Sequence, residues 1–180
     1  MLRGMKKIRK RSVSSFFFLL IFCLAVLTGC KGSESGKNEK DEKKQSCTIS
    51  IVCQSILDHK DELKEEKKDY VPEDGVILKE TEVTFSEGDT VFDILKKVCK
   101  EHKIQIESSQ SATYQSVYIE GIHQLYEFDC GPSSGWMYRV NGTFPNYGCS
   151  KIKAKQGDKI EWIYTCELGN DIGAKNENQK

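Results

Sequence analysis

Residues 134–142 read SGWMYRVNG and carry the clearest structural signal in the chain. Their apolar residues occupy alternate positions and so share one face of a β-strand: Trp136, Tyr138 and Val140. The dipeptide Asn141-Gly142 that follows is the strongest short-range signal for a β-hairpin. This stretch therefore predicts a strand with one apolar face, after which the chain turns back on itself.

Two more distant segments show the same alternation. Residues 47–53, CTISIVC, place their apolar side chains on one face: Cys47, Ile49, Ile51 and Cys53. Residues 159–166, KIEWIYTC, do so through Ile160, Trp162, Tyr164 and Cys166. Both segments are predicted to be strands of one sheet, the first and the last of the domain.

A single amphipathic helix is predicted at about residues 90–101. Thr90 stands three residues before Asp93, which resembles a capping box with Asp in place of the usual Glu. Apolar residues then recur at helical spacing and form one stripe: Val91, Ile94, Leu95 and Val98. Such a helix is expected to lie on a sheet.

The segment at about residues 55–69 is highly charged, with few aliphatic anchors. It is interpreted as an inserted, solvent-exposed charged helix. Together the elements predict an α+β, β-grasp-like domain: a mixed sheet of four or five strands, one packed helix and this insertion.

Cysteines are unusually frequent, with eight in the chain. Cys23 lies in the apolar N-terminal run and Cys30 stands three residues after its end, so six cysteines belong to the folded part. An even number of cysteines outside the cytoplasm predicts disulfide staples. Six cysteines allow fifteen connectivities, and the sequence alone cannot choose among them. In a β-grasp the first and last strands are adjacent and parallel, which leads to one hypothesis: Cys47–Cys149, Cys53–Cys166 and Cys99–Cys130.

The N-terminus has the pattern of an export signal. Residues 1–29 carry six basic side chains, no acidic ones and a run of twelve apolar residues, 16–27. That run is too short for a comfortable membrane span but has the size of a signal-peptide core. It ends at Leu27-Thr28-Gly29-Cys30, which resembles the bacterial lipobox. The resemblance implies lipidation of Cys30 and anchoring at the outer face of the bacterial cytoplasmic membrane; the alternatives are an ordinary signal peptide and an uncleaved anchor.

The remaining organisation follows from composition. Residues 30–46 comprise the lipidated cysteine and a polar, flexible tether, residues 47–173 are the folded domain, and residues 174–180 form a disordered tail. Without residues 1–29 the chain has 21 basic and 27 acidic side chains, a net charge of −6. An acidic domain is a poor partner for nucleic acid, so none is expected.

Catalytic and metal signals are weak. Residues 131–135, GPSSG, match the G-x-S-x-G pattern of a nucleophile elbow, but a strand and not a helix is predicted to follow. The histidines are isolated, and there is no CxxC pair, so no metal or redox motif is apparent. We therefore expect a protein that is not an enzyme and that has no resident cofactor.

Several motifs together resemble one family. Residues 127–142, EFDCGPSSGWMYRVNG, residues 144–148, FPNYG, and residues 157–165, GDKIEWIYT, are similar to the transcobalamin-like C-terminal domain, DUF4430. Residues 87–95, EGDTVFDIL, fit the same pattern. The resemblance covers most of residues 47–173.

The resemblance implies a ligand site. In transcobalamin and intrinsic factor, cobalamin lies between an α/α barrel and this β-rich domain. The residues that fall at the family's ligand-facing segment, with a neighbouring tyrosine, are Trp136, Asn141, Gly142, Thr143, Phe144, Pro145 and Tyr147. For Trp136 a place in the core is the competing interpretation. No α/α barrel is visible here, and no histidine is placed by a motif to coordinate cobalt.

Two functions remain open at this stage. One is a lipoprotein that captures cobalamin, or another flat small molecule, for an importer. The other is a non-catalytic cell-surface module that binds protein or polymer through a sheet edge or the 54–75 segment.

Overall fold

The computed structural model describes residues 44–113 and 115–174, which contain seven strands, one α-helix and three short 3₁₀ helices. The strands are β1 Gln45–Val52, β2 Val76–Phe85, β3 Ile106–Ser111, β4 Ser116–Ile122, β5 Leu125–Tyr126, β6 Gly135–Val140 and β7 Lys159–Thr165. The α-helix, α1, is Val91–His102, and the 3₁₀ helices are Gln54–Asp58, Glu65–Tyr70 and Asn170–Ile172.

The strands form two sheets. The larger is mixed, with the order β2-β1-β7-β6, and the smaller has the order β3-β4-β5. β1 pairs in parallel with β7, so Ile49 faces Ile160 and Ile51 faces Trp162. The predicted parallel pairing of the first and last strands is confirmed, and so is a mixed sheet of four strands. The separate three-stranded sheet was not predicted.

The core lies between the large sheet and α1. Ile49 and Ile51 of β1 are fully buried, as are Ile160 and Tyr164 of β7. The whole predicted stripe of α1 is buried with them, as is Cys99 beside it: Val91, Ile94, Leu95 and Val98. Each such aliphatic side chain contributes about 1.5–3 kcal/mol when removed from water. The prediction of one amphipathic helix on a sheet is therefore confirmed.

The start of α1 is held by a reciprocal cap. The Asp93 backbone N–H donates to Thr90 Oγ1 at 3.2 Å, and the Thr90 N–H donates to Asp93 Oδ2 at 3.1 Å. The predicted capping box is confirmed, with Asp serving in place of Glu. The helix ends at Lys103, which adopts a left-handed conformation with φ 57°.

We expect Thr90→Ala to lower the free energy of unfolding by about 1 kcal/mol, because one N–H at the helix start loses its acceptor. Urea unfolding followed by circular dichroism measures the change. Thr113→Ala, in an exposed turn, is the control and should stay within about 0.5 kcal/mol of the parent. Equal losses in both variants would contradict a specific capping role.

The prediction of a charged helix at 55–69 is wrong. The segment instead forms two 3₁₀ helices separated by residues that pair with a distant part of the chain. Leu63 forms a β-bridge with Cys130, and the Lys64 N–H donates to the Asp129 carbonyl at 2.9 Å. Because these backbone groups bond to residues far away in the chain, they are not available for the i to i−4 hydrogen bonds of an α-helix.

The six described cysteines are buried free thiols, and no disulfide is present among the described residues. The expectation of a disulfide-stapled domain is therefore not met in this structure. The thiols of Cys130 and Cys166 lie within hydrogen-bonding distance of each other. This juxtaposition differs from the hypothesis, which paired Cys130 with Cys99 and Cys166 with Cys53. The hypothesis paired Cys166 with Cys53 because both stand at strand ends. It did not take into account the position of the loop that carries Cys130.

Mild oxidation of the folded chain should join Cys130 to Cys166 before any other pair, because their sulfurs already lie within hydrogen-bonding distance. Peptide mapping by mass spectrometry, after free thiols are blocked, identifies the bond. Cys166→Ser should abolish the cross-linked peptide. A Cys53–Cys166 or Cys99–Cys130 peptide appearing first would contradict the observed juxtaposition.

Several predictions fall on residues outside the described ranges. They are the signal segment 1–29, Cys30, the tether as far as residue 43, and the tail from 175. β1 begins at Gln45, two residues before the predicted start of the domain. Within the described residues, no helix is long and apolar enough to cross a membrane.

Candidate functional site

The predicted turn at Asn141-Gly142 forms at the end of β6. Both residues have positive φ, 52° and 79°, as a two-residue hairpin turn requires. Val140 and Thr143 close the turn through paired backbone hydrogen bonds of 2.9 and 3.0 Å. The Asn141 side chain is also used: its Nδ2 donates to Asp158 Oδ1 at 2.9 Å, and its Oδ1 accepts from the Lys159 N–H at 2.9 Å. Asn141 therefore ties the turn to the start of β7.

The segment after the turn, residues 143–147, is a surface loop. Tyr147 is 69% exposed, Thr143 is exposed, and Phe144 and Pro145 are half-buried. The loop is anchored where Tyr138 Oη donates to the Tyr147 carbonyl at 2.6 Å. The Tyr138 ring packs on Trp162, with ring centres 5.2 Å apart. A rigid aromatic pair in the sheet thus supports an exposed aromatic loop.

Two open grooves flank this loop. The first has a volume of about 530 Å³ and is lined by Gln115, Asn146, Tyr147, Gly148, Lys151 and Ile152. The second has a volume of about 520 Å³ and is lined by Gly142, Thr143, Phe144, Pro145, Asn146, Tyr147 and Gly173. Asn146 and Tyr147 line both grooves. Each volume lies in the range of small-molecule sites.

Trp136 lies in the core and lines neither groove. It is 7% exposed, and its Nε1–H donates to the Leu125 carbonyl at 2.8 Å. Its ring meets that of Tyr164 edge to face, with centres 5.3 Å apart. The structure favours the core interpretation of Trp136, because its indole N–H already has a partner inside the protein. The other predicted ligand-facing residues are together at the turn and the loop.

A close backbone approach positions the first groove. A Cβ on Gly148 would lie 1.8 Å from Ser116 Oγ at the start of β4, so this position needs glycine. Beside it, the Ser150 hydroxyl accepts from the Val117 N–H at 3.0 Å and bonds Ser116 Oγ at 3.0 Å. These contacts bring Gln115, the residue before β4, next to the loop. Lys151 and Ile152 follow the loop closely in the chain, and the Lys151 N–H donates to the Gly148 carbonyl at 2.9 Å. None of the three was predicted, and Gln115 could not be, because only tertiary packing brings it to Tyr147.

Two titratable groups beside the loop have shifted pKa values. Burial raises the pKa of the Cys149 thiol, which follows the loop, to about 11, so it is protonated at neutral pH. Burial also raises the pKa of Tyr138. Among the described residues, no group of three or more His, Cys, Asp or Glu side chains is arranged to hold a metal ion. The site offers aromatic surface, amide groups and the Lys151 ammonium.

Comparison with known proteins gives a domain and a fold. Residues 88–165 match the family described as a domain of unknown function, DUF4430, so the chain contains this domain. The match includes α1, both strands of the β6–β7 hairpin and the loop between them. No curated protein matches the chain.

Several solved structures match this chain, among them the following two. The crystal structure of haptocorrin in complex with Cbi aligns with a TM-score of 0.53 at 15% identity, over 71% of this chain and 26% of the haptocorrin chain. At that identity the likeness shows a shared fold, and this chain spans about a quarter of the haptocorrin chain. The second, described as a candidate metal binding protein from Ruminococcus gnavus ATCC 29149, aligns at a TM-score of 0.40 and 12% identity, over 67% of this chain and 95% of that chain.

Gly148→Ala should lower the free energy of unfolding by about 1–3 kcal/mol, because the added methyl overlaps Ser116 and forces the loop away from the start of β4. Gly135→Ala is the matched control, since a Cβ there would meet its nearest atom at 3.7 Å, an ordinary contact. Urea unfolding compares the two variants. Similar stabilities of the two variants would show that the loop can move away from Ser116 at little cost. The close contact at Gly148 would then not fix the shape of the groove.

Proposed function

We propose that this protein is a membrane-anchored, extracytoplasmic lipoprotein that binds a flat small ligand of the corrinoid class, cobalamin or a relative, for uptake. The observation that carries the proposal is the exposed loop 143–147, with its aromatic side chains between two grooves. Lipidation at Cys30 supplies the membrane anchor in this proposal. The proposed activity is binding, without catalysis.

The loop suits a flat ligand for a physical reason. Aromatic side chains offer a large contact area at low conformational cost, and Tyr147 also presents a hydroxyl to solvent. The turn residue Asn141 is held by hydrogen bonds to Asp158 and Lys159, so a ligand that contacts the turn orders little additional chain. The ligand in the haptocorrin complex, which shares the fold, motivates the choice of corrinoids as the first class to test.

The site as described has only one wall. Both grooves are open, and each 1.4 kcal/mol of missing contact weakens affinity about tenfold. We therefore propose that the isolated protein binds only in the micromolar range, and that a partner, such as an importer, supplies the second wall.

Calorimetric titration of the full chain in mild detergent with cobalamin and cobinamide tests the proposal. Tyr147→Ala should weaken binding about tenfold, because it removes the most exposed ring of the loop. Tyr118→Ala is the matched control: Tyr118 is also an exposed tyrosine, at 42%, but it lies on β4 and lines neither groove.

Two results would contradict the proposal. One is the absence of heat at ligand concentrations on the order of 100 μM, where micromolar binding would be complete. The other is binding that both tyrosine variants weaken equally, because the loop would then not be the contact surface.

A second candidate function is a surface module that docks protein or polymer by strand addition. The observation that favours it is β2, a ten-residue strand at one edge of the four-stranded sheet. An extended segment could pair with its outer backbone groups. Binding of a cell-surface polymer by a chain that does not bind corrinoids would support this alternative.

A further inference from the structure

Two large apolar side chains are exposed at the end of the β6–β7 hairpin opposite the ligand loop. Phe128 is 55% exposed and Leu168 is 65% exposed. Gly135 pairs with Thr165 at this end of the hairpin, and Val140 pairs with Ile160 at the other. Six residues of strand, roughly 17–20 Å, therefore separate the two ends.

Phe128 and Leu168 flank one short loop. The Phe128 N–H donates to the Ser134 carbonyl at 3.1 Å, and the Leu168 N–H donates to the Ser133 carbonyl at 3.0 Å. Both residues are left-handed, with φ 63° and 51°, which is unfavourable for bulky side chains. The fold therefore holds two apolar residues in costly conformations without burying much of either side chain.

Three carboxylates lie on or near the segments that carry this pair. Glu127 and Glu167 directly precede Phe128 and Leu168 in the sequence, and Glu127 Oε2 accepts a hydrogen bond from Tyr118 Oη at 2.6 Å. Glu62 reaches the same loop, where its Oε2 lies 2.5 Å from the position that a Cβ on Gly131 would take. His59 connects two of these acids, with Nδ1 3.2 Å from Glu62 and Nε2 3.8 Å from Glu167.

Nearby lysines do not neutralise these carboxylates. Lys64 and Lys67 approach the adjacent turn, but both pair with the buried Asp129, at 2.9 and 3.2 Å. The surface thus combines two exposed apolar side chains with Glu62, Glu127 and Glu167. A phosphate-rich partner would be repelled here, whereas a cationic one would be attracted.

We propose that this apolar–acidic surface, defined by Phe128, Leu168, Glu62, Glu127 and Glu167, docks a cationic amphipathic segment of a partner protein. Apolar side chains of the partner cover Phe128 and Leu168, and its lysines or arginines pair with the carboxylates. Docking buries the two side chains and gains hydrophobic free energy, which the monomer does not gain because it leaves them exposed. The inference does not depend on corrinoid binding, because the two surfaces lie at opposite ends of the hairpin.

The deciding variant is the double substitution Phe128→Asn, Leu168→Asn. Asparagine tolerates the left-handed region far better than phenylalanine or leucine, so the variant should melt at the same temperature as the parent or higher. It nevertheless removes the apolar contacts. If Phe128 and Leu168 serve docking, the melting temperature of the variant stays the same or rises. If they stabilise the fold, it falls.

The binding probe is a synthetic helical peptide of leucine and lysine, and a leucine–glutamate peptide of the same length is its control. Fluorescence anisotropy with the full chain in detergent should show binding of the lysine peptide only, weakening as salt is raised. The double asparagine variant should bind about tenfold more weakly or worse. Glu62→Gln with Glu167→Gln should weaken binding and flatten its salt dependence, while Tyr70→Ser, an exposed tyrosine elsewhere, should change neither.

Three outcomes would overturn the inference. A lower melting temperature of the asparagine variant would show that Phe128 and Leu168 are structural. Equal binding of both peptides, or unchanged binding by the variant, would remove the surface from consideration. Self-association of the parent in sedimentation, lost in the variant, would identify a second copy of this chain as the occupant instead.

Discussion

The parallel pairing of β1 with β7 is the constraint on which the rest of the structure depends. These strands come from opposite ends of the domain, and their inward residues form the floor on which α1 packs. Because β7 lies between β1 and β6, it also places the β6–β7 hairpin and its two ends. Tyr164 extends the effect, since its buried hydroxyl donates to the Tyr126 carbonyl at 2.6 Å and joins the small sheet to the large one.

The hairpin separates two surfaces of different chemistry. At one end, the turn at Asn141 supports an aromatic loop beside two grooves, which suits a flat neutral or anionic ligand. At the other end, Phe128 and Leu168 stand among carboxylates, which suits a cationic protein segment. The proposed capture of a ligand and the proposed docking of a partner thus use different surfaces.

Prediction succeeded where the signal was local. The α1 stripe, the Thr90–Asp93 cap and the Asn-Gly turn each depend on residues within a few positions of one another, and each was confirmed. It failed where distant backbone groups competed. The 55–69 segment does not form a continuous helix, because Leu63 and Lys64 pair with Cys130 and Asp129. The loop 143–147 was singled out by the family resemblance, whereas Gln115 reaches it only through packing.

The sequence by itself determined the alternating strands, the amphipathic helix and the turn, because side-chain periodicity and backbone preference act over short distances. Only the tertiary structure decided which cysteines are neighbours, whether Trp136 faces the core or a ligand, and which surface Phe128 and Leu168 share. Those outcomes depend on how sheets pack and on which buried polar groups find partners. Such contacts join residues far apart in the chain, and no spacing within the sequence encodes them.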